Sequence, residues 1–173
     1  MMSLNAIEKW TRRVGGLAML APLIAILIGI RRGLRRPRGR AIGRADAILQ
    51  RRVYLLIGAP YFGCCILLWR PIRVTLPAPE RVAALILGAL LYFPGLALAL
   101  WGRLALGEMY NVSSGFGVQM YADQRLITRG PYTYVRHPIY LGLLLAAWGG
   151  LLLYRTWTLV FLVVNAVTVL VVQ

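Results

Sequence analysis

Residues 82–101 read VAALILGALLYFPGLALALW, a stretch of twenty residues without a single charged side chain. An α-helix needs about twenty such residues to cross the hydrocarbon core of a bilayer. Lipid offers no hydrogen-bond partner to the backbone, so a spanning segment of this kind satisfies its own N–H and C=O groups as a helix. The stretch therefore predicts a transmembrane helix.

Four further apolar runs flank this stretch, and each is close to the length of a membrane span. They occupy residues 14–30, 53–69, 138–154 and 157–172. With 173 residues the chain is short enough for one domain. The sequence thus predicts an all-α integral membrane protein, a single domain over residues 1–173 with about five transmembrane helices.

The composition supports this class and excludes others. Hydrophobic residues make up 60% of the chain, more than a soluble domain of this size can bury, and the net charge is +15. A nucleic-acid-binding protein would carry such a charge on a water-exposed fold, so no nucleic-acid partner is expected. Cys64, Cys65 and the single histidine, His137, do not form a metal-binding pattern, and no metal is predicted.

The basic residues predict an orientation in the membrane. Segments 31–52 and 102–137 hold thirteen Arg and lie on the same side of a five-helix chain, whereas the opposite side holds seven Lys or Arg. The positive-inside rule places both segments in the cytoplasm. We expect a multi-pass protein of a bacterial inner membrane or the endoplasmic reticulum, with anionic membrane lipids as partners of the Arg-rich segment.

The long connection 102–137 is where the chemistry is expected, because long loops inside compact domains are usually functional. Its middle part predicts a small hairpin, with strands at 118–121 and 125–128 and a turn at 122–124. Its last part, with the start of the next apolar run, reads RGPYTYVRHPIYLG over residues 129–142.

This last part predicts an anion-binding helix start. Pro138 suits the first position of a helix, and the N–H groups and positive dipole at a helix start attract anions. Arg136 and His137 directly precede it, and Tyr132 and Tyr140 add aromatic faces. S-adenosylmethionine suits such a site, since its carboxylate needs donors and its sulfonium can lie against aromatic rings. The same residues also fit a simple helix cap and an interfacial aromatic belt.

A resemblance favours the first of these interpretations. Residues 126–142, LITRGPYTYVRHPIYLG, strongly resemble the signature of the isoprenylcysteine carboxyl methyltransferase family and its relatives, the membrane phospholipid methyltransferases. The signature is a Gly-Pro-Tyr, here 130–132, followed after a short spacer by Arg-His-Pro-x-Tyr-x-Gly, here 136–142. The resemblance extends over roughly residues 105–173.

The resemblance implies an integral membrane enzyme that transfers a methyl group from S-adenosylmethionine to a lipophilic acceptor. That acceptor would be an isoprenylcysteine-type carboxylate, on a prenylated small molecule or peptide, or the amine of a phospholipid. The donor would lie in a cytoplasm-facing pocket, and no catalytic residue is assigned. The expected cofactor-binding residues, with Arg136 added from the helix-start argument, are Gln119, Gln124, Arg125, Leu126, Ile127, Tyr132, Arg136, His137, Pro138, Ile139 and Tyr140.

One departure and two alternatives accompany this prediction. In family members a segment rich in Glu and Arg follows the last helix, so the chain ending at Gln173 is either truncated or lacks that half of the usual site. We expect it to bind the donor weakly and to turn over little or not at all. A similar Arg-His-Pro-x-Tyr occurs in sterol and steroid reductases that bind NADPH, but those tend to have Asn where this chain has Ile139 and an acidic residue where it has Leu143. A non-catalytic membrane protein is the third reading.

Overall fold

The computed structural model describes residues 3–35, 41–42, 51–110, 120–121 and 125–172. Within them the chain forms five α-helices, which confirms the predicted all-helical class and helix number. The helices are α1 (Leu4–Arg35), α2 (Arg51–Leu67), α3 (Ala78–Leu106), α4 (Pro138–Tyr154) and α5 (Trp157–Val172).

Several helices do not end where the apolar runs end. The bounds of α4 and α5 coincide with the fourth and fifth runs, whereas α1 and α3 continue beyond theirs at both ends. Arg, Leu and Ala are good helix formers, so a helix can continue past its apolar part into flanking segments that contain them. Arg103 consequently lies in the last turn of α3, not in the connection after it, and the helix ends at Gly107, whose φ is +51°.

The closest packing in the fold is between α3 and α4, which run antiparallel. A Cβ built on Gly142 would stand 2.5 Å from the backbone nitrogen of Ala99 and 2.6 Å from the carbonyl oxygen of Gly95. A Cβ on Gly149 would likewise collide with the backbone of Tyr92. Small residues let two helix backbones approach this closely, as they do at many helix interfaces in membranes.

The first helix packs alongside α3 and contacts the end of α4. The Tyr92 hydroxyl donates to the carbonyl oxygen of Gly15 at 3.1 Å, and the Tyr154 hydroxyl donates to that of Arg12 at 2.7 Å. The two tyrosine rings lie 5.9 Å apart. Tyr92 is also part of the buried core together with Leu96, Ala146 and Leu153. These contacts fix α1 parallel to α3.

The second and fifth helices pack antiparallel to each other, and α5 also packs against α4. The Thr158 hydroxyl donates to the carbonyl oxygen of Cys65 at 2.7 Å, and the rings of Tyr61 and Phe161 lie 5.4 Å apart. The short turn between α4 and α5 is held by the segment after α2, through a backbone bridge between Pro71 and Thr156.

An ion-pair cluster holds one end of the helices together. Glu8 near the start of α1 accepts from Arg81 of α3 and from Arg155 after α4, each at 2.7 Å. Its exposed fraction is only 8%. We refer to this end, marked by Glu8, Arg81 and Arg155, as the Glu8 end.

The opposite end is marked by Gly29 of α1, Arg103 of α3 and Pro138 of α4, and we refer to it as the Pro138 end. A Cβ on Gly29 would collide with the Arg103 guanidinium, and a Cβ on Gly102 would lie 3.2 Å from Cγ of Pro138. The helices therefore send the connections that follow α1 and α3 out at the same end, as the sequence predicts for its two Arg-rich segments.

The predicted hairpin is wrong in the part that the structure describes. Met120–Tyr121 pairs antiparallel with Ala41–Ile42, not with residues 125–128, which form no strand. Residues 118–119 and 122–124 lie outside the described residues. A strand partner so far away along the chain leaves no signal in a local sequence pattern.

The outer surface of the helices is strongly apolar. Large apolar side chains such as Leu17 on α1, Ile66 on α2 and Leu90 on α3 are each at least 65% exposed. By length and composition, Leu4–Gly29 and Ala78–Met109 qualify as membrane spans among the described residues. Gly58–Leu67, Pro138–Tyr154 and Trp157–Thr168 are shorter apolar helices.

Candidate functional site

The candidate site is built around the start of α4. Pro138 occupies the first turn, where its missing N–H costs no hydrogen bond, and its exposed fraction is below 2%. It is buried because Gly102 of α3 offers no side chain at the point of contact. His137 directly precedes the helix but its side chain makes no capping hydrogen bond, while its carbonyl oxygen accepts from the N–H of Leu141 at 3.0 Å.

A short 3-10 turn, Gly130–Thr133, leads into this helix start. Gly130 has a φ of +65°, which glycine adopts without strain, and it lies against Trp101 and Ala105 of α3. Pro131 is buried, and its carbonyl oxygen accepts from the N–H of Tyr134 and of Val135 at 3.2 and 3.0 Å. The turn therefore fixes Tyr132 beside the end of α3.

Three tyrosines gather at this point. Burial, and then the neighbouring Tyr140, raise the pKa of Tyr132 to about 12. Burial also raises the pKa of Tyr110, although the nearby Arg103 guanidinium acts in the opposite direction. The rings of His137 and Tyr140 lie 5.9 Å apart. At neutral pH Tyr132 and Tyr110 are therefore uncharged phenols, which present aromatic faces and hydroxyl groups rather than negative charges.

A buried arginine lies beneath these rings. Arg103 is only 5% exposed, and its guanidinium carbon stands 4.1 Å from the centre of the Tyr110 ring. Its Nη1 donates to the carbonyl oxygen of Gly107 at 3.2 Å, while its Nε has no hydrogen-bond partner among the described residues. On its other side the guanidinium lies against Gly29 of α1. No carboxylate of the described chain forms an ion pair with it.

The structure brings some of the predicted cofactor-binding residues together and leaves others apart. Tyr132, Pro138, Ile139 and Tyr140 are at least partly buried around the helix start. Arg136 and His137 are beside it but exposed, Arg125 and Leu126 are exposed, and Ile127 is partly buried. The predicted positions Gln119 and Gln124 lie outside the described residues.

The comparison with known families identifies the part of the chain that carries this site. The family model described as phospholipid methyltransferase matches residues 83–173, which is more than half of the chain. The chain belongs to the phospholipid methyltransferase family. No curated protein and no solved structure matches the chain.

Membership of the phospholipid methyltransferase family confirms the family suspected from the RGPY and RHPIY motifs. The matched residues include nearly all of α3, the connection with both motifs, α4 and α5, whereas α1 and α2 lie outside them. Membership of this family indicates that the chain is a methyltransferase of the membrane type. Its members are generally dependent on S-adenosylmethionine.

The residues at the Pro138 end fit a ligand of that chemistry. The start of α4 and the Nε of Arg103, which has no partner among the described residues, provide donors for an anionic group. The phenol rings of Tyr110, Tyr132 and Tyr140 provide the aromatic faces that attract a sulfonium cation. The site thus combines the two features that a zwitterionic sulfonium ligand requires.

The sequence-based prediction of the site missed Arg103 and Tyr110. In the sequence Arg103 belongs to a predicted loop, as one of its positive charges, because the apolar run ends at Trp101. A useful signal was nevertheless present. Arg103 stands within one helical turn of the apolar run. Ionisable residues within a membrane-spanning helix often belong to a functional site.

Proposed function

We propose that the chain is an S-adenosylmethionine-dependent methyltransferase that acts on a lipophilic acceptor, an isoprenylcysteine-type carboxylate or a phospholipid amine. The observation that carries the proposal lies within the family-matched residues. The start of α4, the turn that holds Tyr132 and the end of α3 meet at one end of the helices. Aromatic rings lie there together with Nε of Arg103, a donor without a partner in the described part of the chain.

The methyl donor supplies an electrophilic methyl group on a positively charged sulfur. The chain's contribution is to bind, orient and shield. The start of α4 and His137 would bind the polar part of the donor, and the tyrosine rings would hold the sulfonium. Fixing donor and acceptor in line removes much of the entropic barrier to the transfer, and excluding water strengthens the electrostatic contacts.

The acceptor determines whether a base is needed. A carboxylate is already ionised near neutral pH, so its methylation requires none. An amine must lose a proton, and the imidazole of His137 at the helix start is the candidate acceptor for that proton. Because binding of the donor accounts for His137 equally well, we assign no catalytic base.

Access for a lipophilic acceptor follows from the surface of the helices. Exposed leucine, isoleucine and phenylalanine side chains cover the outer faces of α1, α2 and α3, and contiguous apolar surface of this kind is stable against lipid. We therefore propose a multi-pass protein with the Pro138 end on the cytoplasmic side. The positive-inside rule favours this orientation, because segments 31–52 and 102–137 hold thirteen Arg. An acceptor dissolved in the bilayer would then reach the site laterally.

A binding measurement tests the proposal. The purified chain in lipid nanodiscs is titrated calorimetrically with S-adenosylmethionine and, separately, with NADPH, which the related-looking reductases would bind. We expect saturable binding of S-adenosylmethionine and none of NADPH. Binding of NADPH alone would show a reductase-like protein, and binding of neither would show that the residues at the Pro138 end hold no such cofactor.

A further inference from the structure

We propose that Arg103 binds the carboxylate of the methyl donor, and this inference rests on the proposed function. Arg103 lies outside both sequence motifs of the site. It reaches the site from α3. Pro138 and Ile139 at the start of α4 pack directly against Gly102, the residue that precedes Arg103.

Among the described residues, the Arg103 guanidinium lies between a glycine and a tyrosine ring and keeps one N–H donor without a partner. One side of the group lies against Gly29, where any larger residue would collide with it, and the other lies on the Tyr110 ring. A guanidinium carries five N–H donors in one plane. One donates to Gly107, and the Nε donor has no partner among the described residues. A planar anion that accepts two parallel hydrogen bonds fits this group best.

A second arginine, Arg155, is partly buried at the Glu8 end and serves as a comparison. Arg155 at the Glu8 end also has a buried Nε without a partner, but its Nη2 is 2.7 Å from the carboxylate of Glu8. The chain therefore supplies a carboxylate, that of Glu8, to Arg155. Within the described residues it supplies none to Arg103. A buried cation without a counter-charge is costly, so a ligand that brings a carboxylate relieves that cost as it binds.

The position of Arg103 selects the donor rather than the acceptor as the source of this carboxylate. The Arg103 guanidinium lies on the Tyr110 ring, and Pro138, which stands between Tyr132 and Tyr140 in the chain, packs against Gly102, the residue next to Arg103. A zwitterion with its carboxylate on Arg103 can place its sulfonium against these rings. Arg103 would thus contact the carboxylate of the donor on one side of the sulfur, and the acceptor would approach from the opposite side.

The test compares S-adenosylmethionine with its decarboxylated analogue, which keeps the sulfonium and lacks only the carboxylate. Dissociation constants are measured by calorimetry for the wild-type chain, Arg103→Gln and the matched control Arg155→Gln. We expect the wild-type chain to prefer the carboxylate-bearing ligand by roughly ten- to hundredfold, the factor that a hydrogen bond to a charged group is worth. We expect Arg103→Gln to lose most of this preference and Arg155→Gln to retain it.

Several results would overturn the proposal. A folded Arg103→Gln chain with the full preference would show that Arg103 is only structural. If Arg103→Gln raised the KM for a phospholipid acceptor but left the donor preference unchanged, Arg103 would contact the phosphate of the acceptor instead of the donor. If the glutamine variant does not fold, Arg103→Lys keeps the charge but not the planar donors, and an unchanged preference there would overturn the proposal equally. Failure of the wild-type chain to bind either ligand would instead overturn the proposed function.

Discussion

Replacing Gly142 by alanine should force α3 and α4 apart. The new Cβ would stand 2.5 Å from the backbone nitrogen of Ala99 and 2.6 Å from the carbonyl oxygen of Gly95. Ordinary contacts of carbon atoms are about 3.5–4.0 Å, so the helices must separate locally by about 1 Å. Both colliding atoms belong to the backbone of α3, and no side-chain rotation can relieve the contact.

Overpacking of this kind typically costs about 1–3 kcal/mol of unfolding free energy. For a chain of this length that corresponds to a fall in Tm of roughly 2–12 °C. The separation would also reach the site, because Gly142 lies about one turn after Pro138 on the same helix. We therefore expect Gly142→Ala to lower both the Tm and the affinity for S-adenosylmethionine.

Thermal unfolding in a mild detergent, followed by circular dichroism, provides the measurement. Gly63→Ala on α2 is the matched control, since a Cβ at Gly63 meets no atom within 4 Å. Alanine should leave the stability there unchanged or raise it by up to about 1 kcal/mol. Equal Tm values for Gly142→Ala and Gly63→Ala would refute the close packing of α3 against α4 on which the geometry of the site depends.

Three further outcomes are expected. Glu8→Gln should lower the Tm in the same unfolding assay by more than Glu80→Gln, because Glu8 pairs with two arginines while Glu80 is exposed; equal effects would contradict the role of the cluster. His137→Ala should weaken S-adenosylmethionine binding roughly ten- to hundredfold in calorimetry with little loss of Tm, since its side chain is exposed and makes no cap; an unchanged dissociation constant would remove His137 from the site. In a chain lacking Cys64 and Cys65, a membrane-impermeant thiol reagent should label Thr128→Cys only from the cytoplasm and Thr75→Cys only from outside; the reverse pattern would invert the topology.

The helices could be predicted from the sequence because lipid imposes a simple condition on the chain. A charge-free run of sufficient length must satisfy its own backbone hydrogen bonds, and the runs at 138–154 and 157–172 do so with the bounds that their sequence indicates. The start of α4 was equally readable. Pro138 at the first position of a helix is a local signal, and the motifs around it belong to residues close together in the chain.

The features that escaped prediction depend on distant parts of the chain. The pairing of Met120–Tyr121 with Ala41–Ile42 cannot be inferred from a local alternation of residues. The place of Arg103 depends on Gly29 of another helix, which leaves space for the guanidinium, and on Tyr110, which covers it. Without the knowledge that α1 and α3 run side by side, the sequence shows Arg103 only as one more positive charge at a membrane surface.

The central claim is that this chain transfers a methyl group from S-adenosylmethionine to a lipophilic acceptor through residues at the Pro138 end. The most direct measurement incubates nanodiscs containing the chain with S-adenosylmethionine labelled in the methyl group and a total lipid extract supplemented with a prenylated cysteine. Tyr132→Ala serves as the variant within the site and Gly63→Ala as the control outside it. The account predicts a low but measurable amount of label in the organic phase, above a blank without protein, for the wild-type chain and Gly63→Ala, and a strong reduction for Tyr132→Ala. Label in the organic phase that is equal for all three chains, or absent from all three, would contradict it.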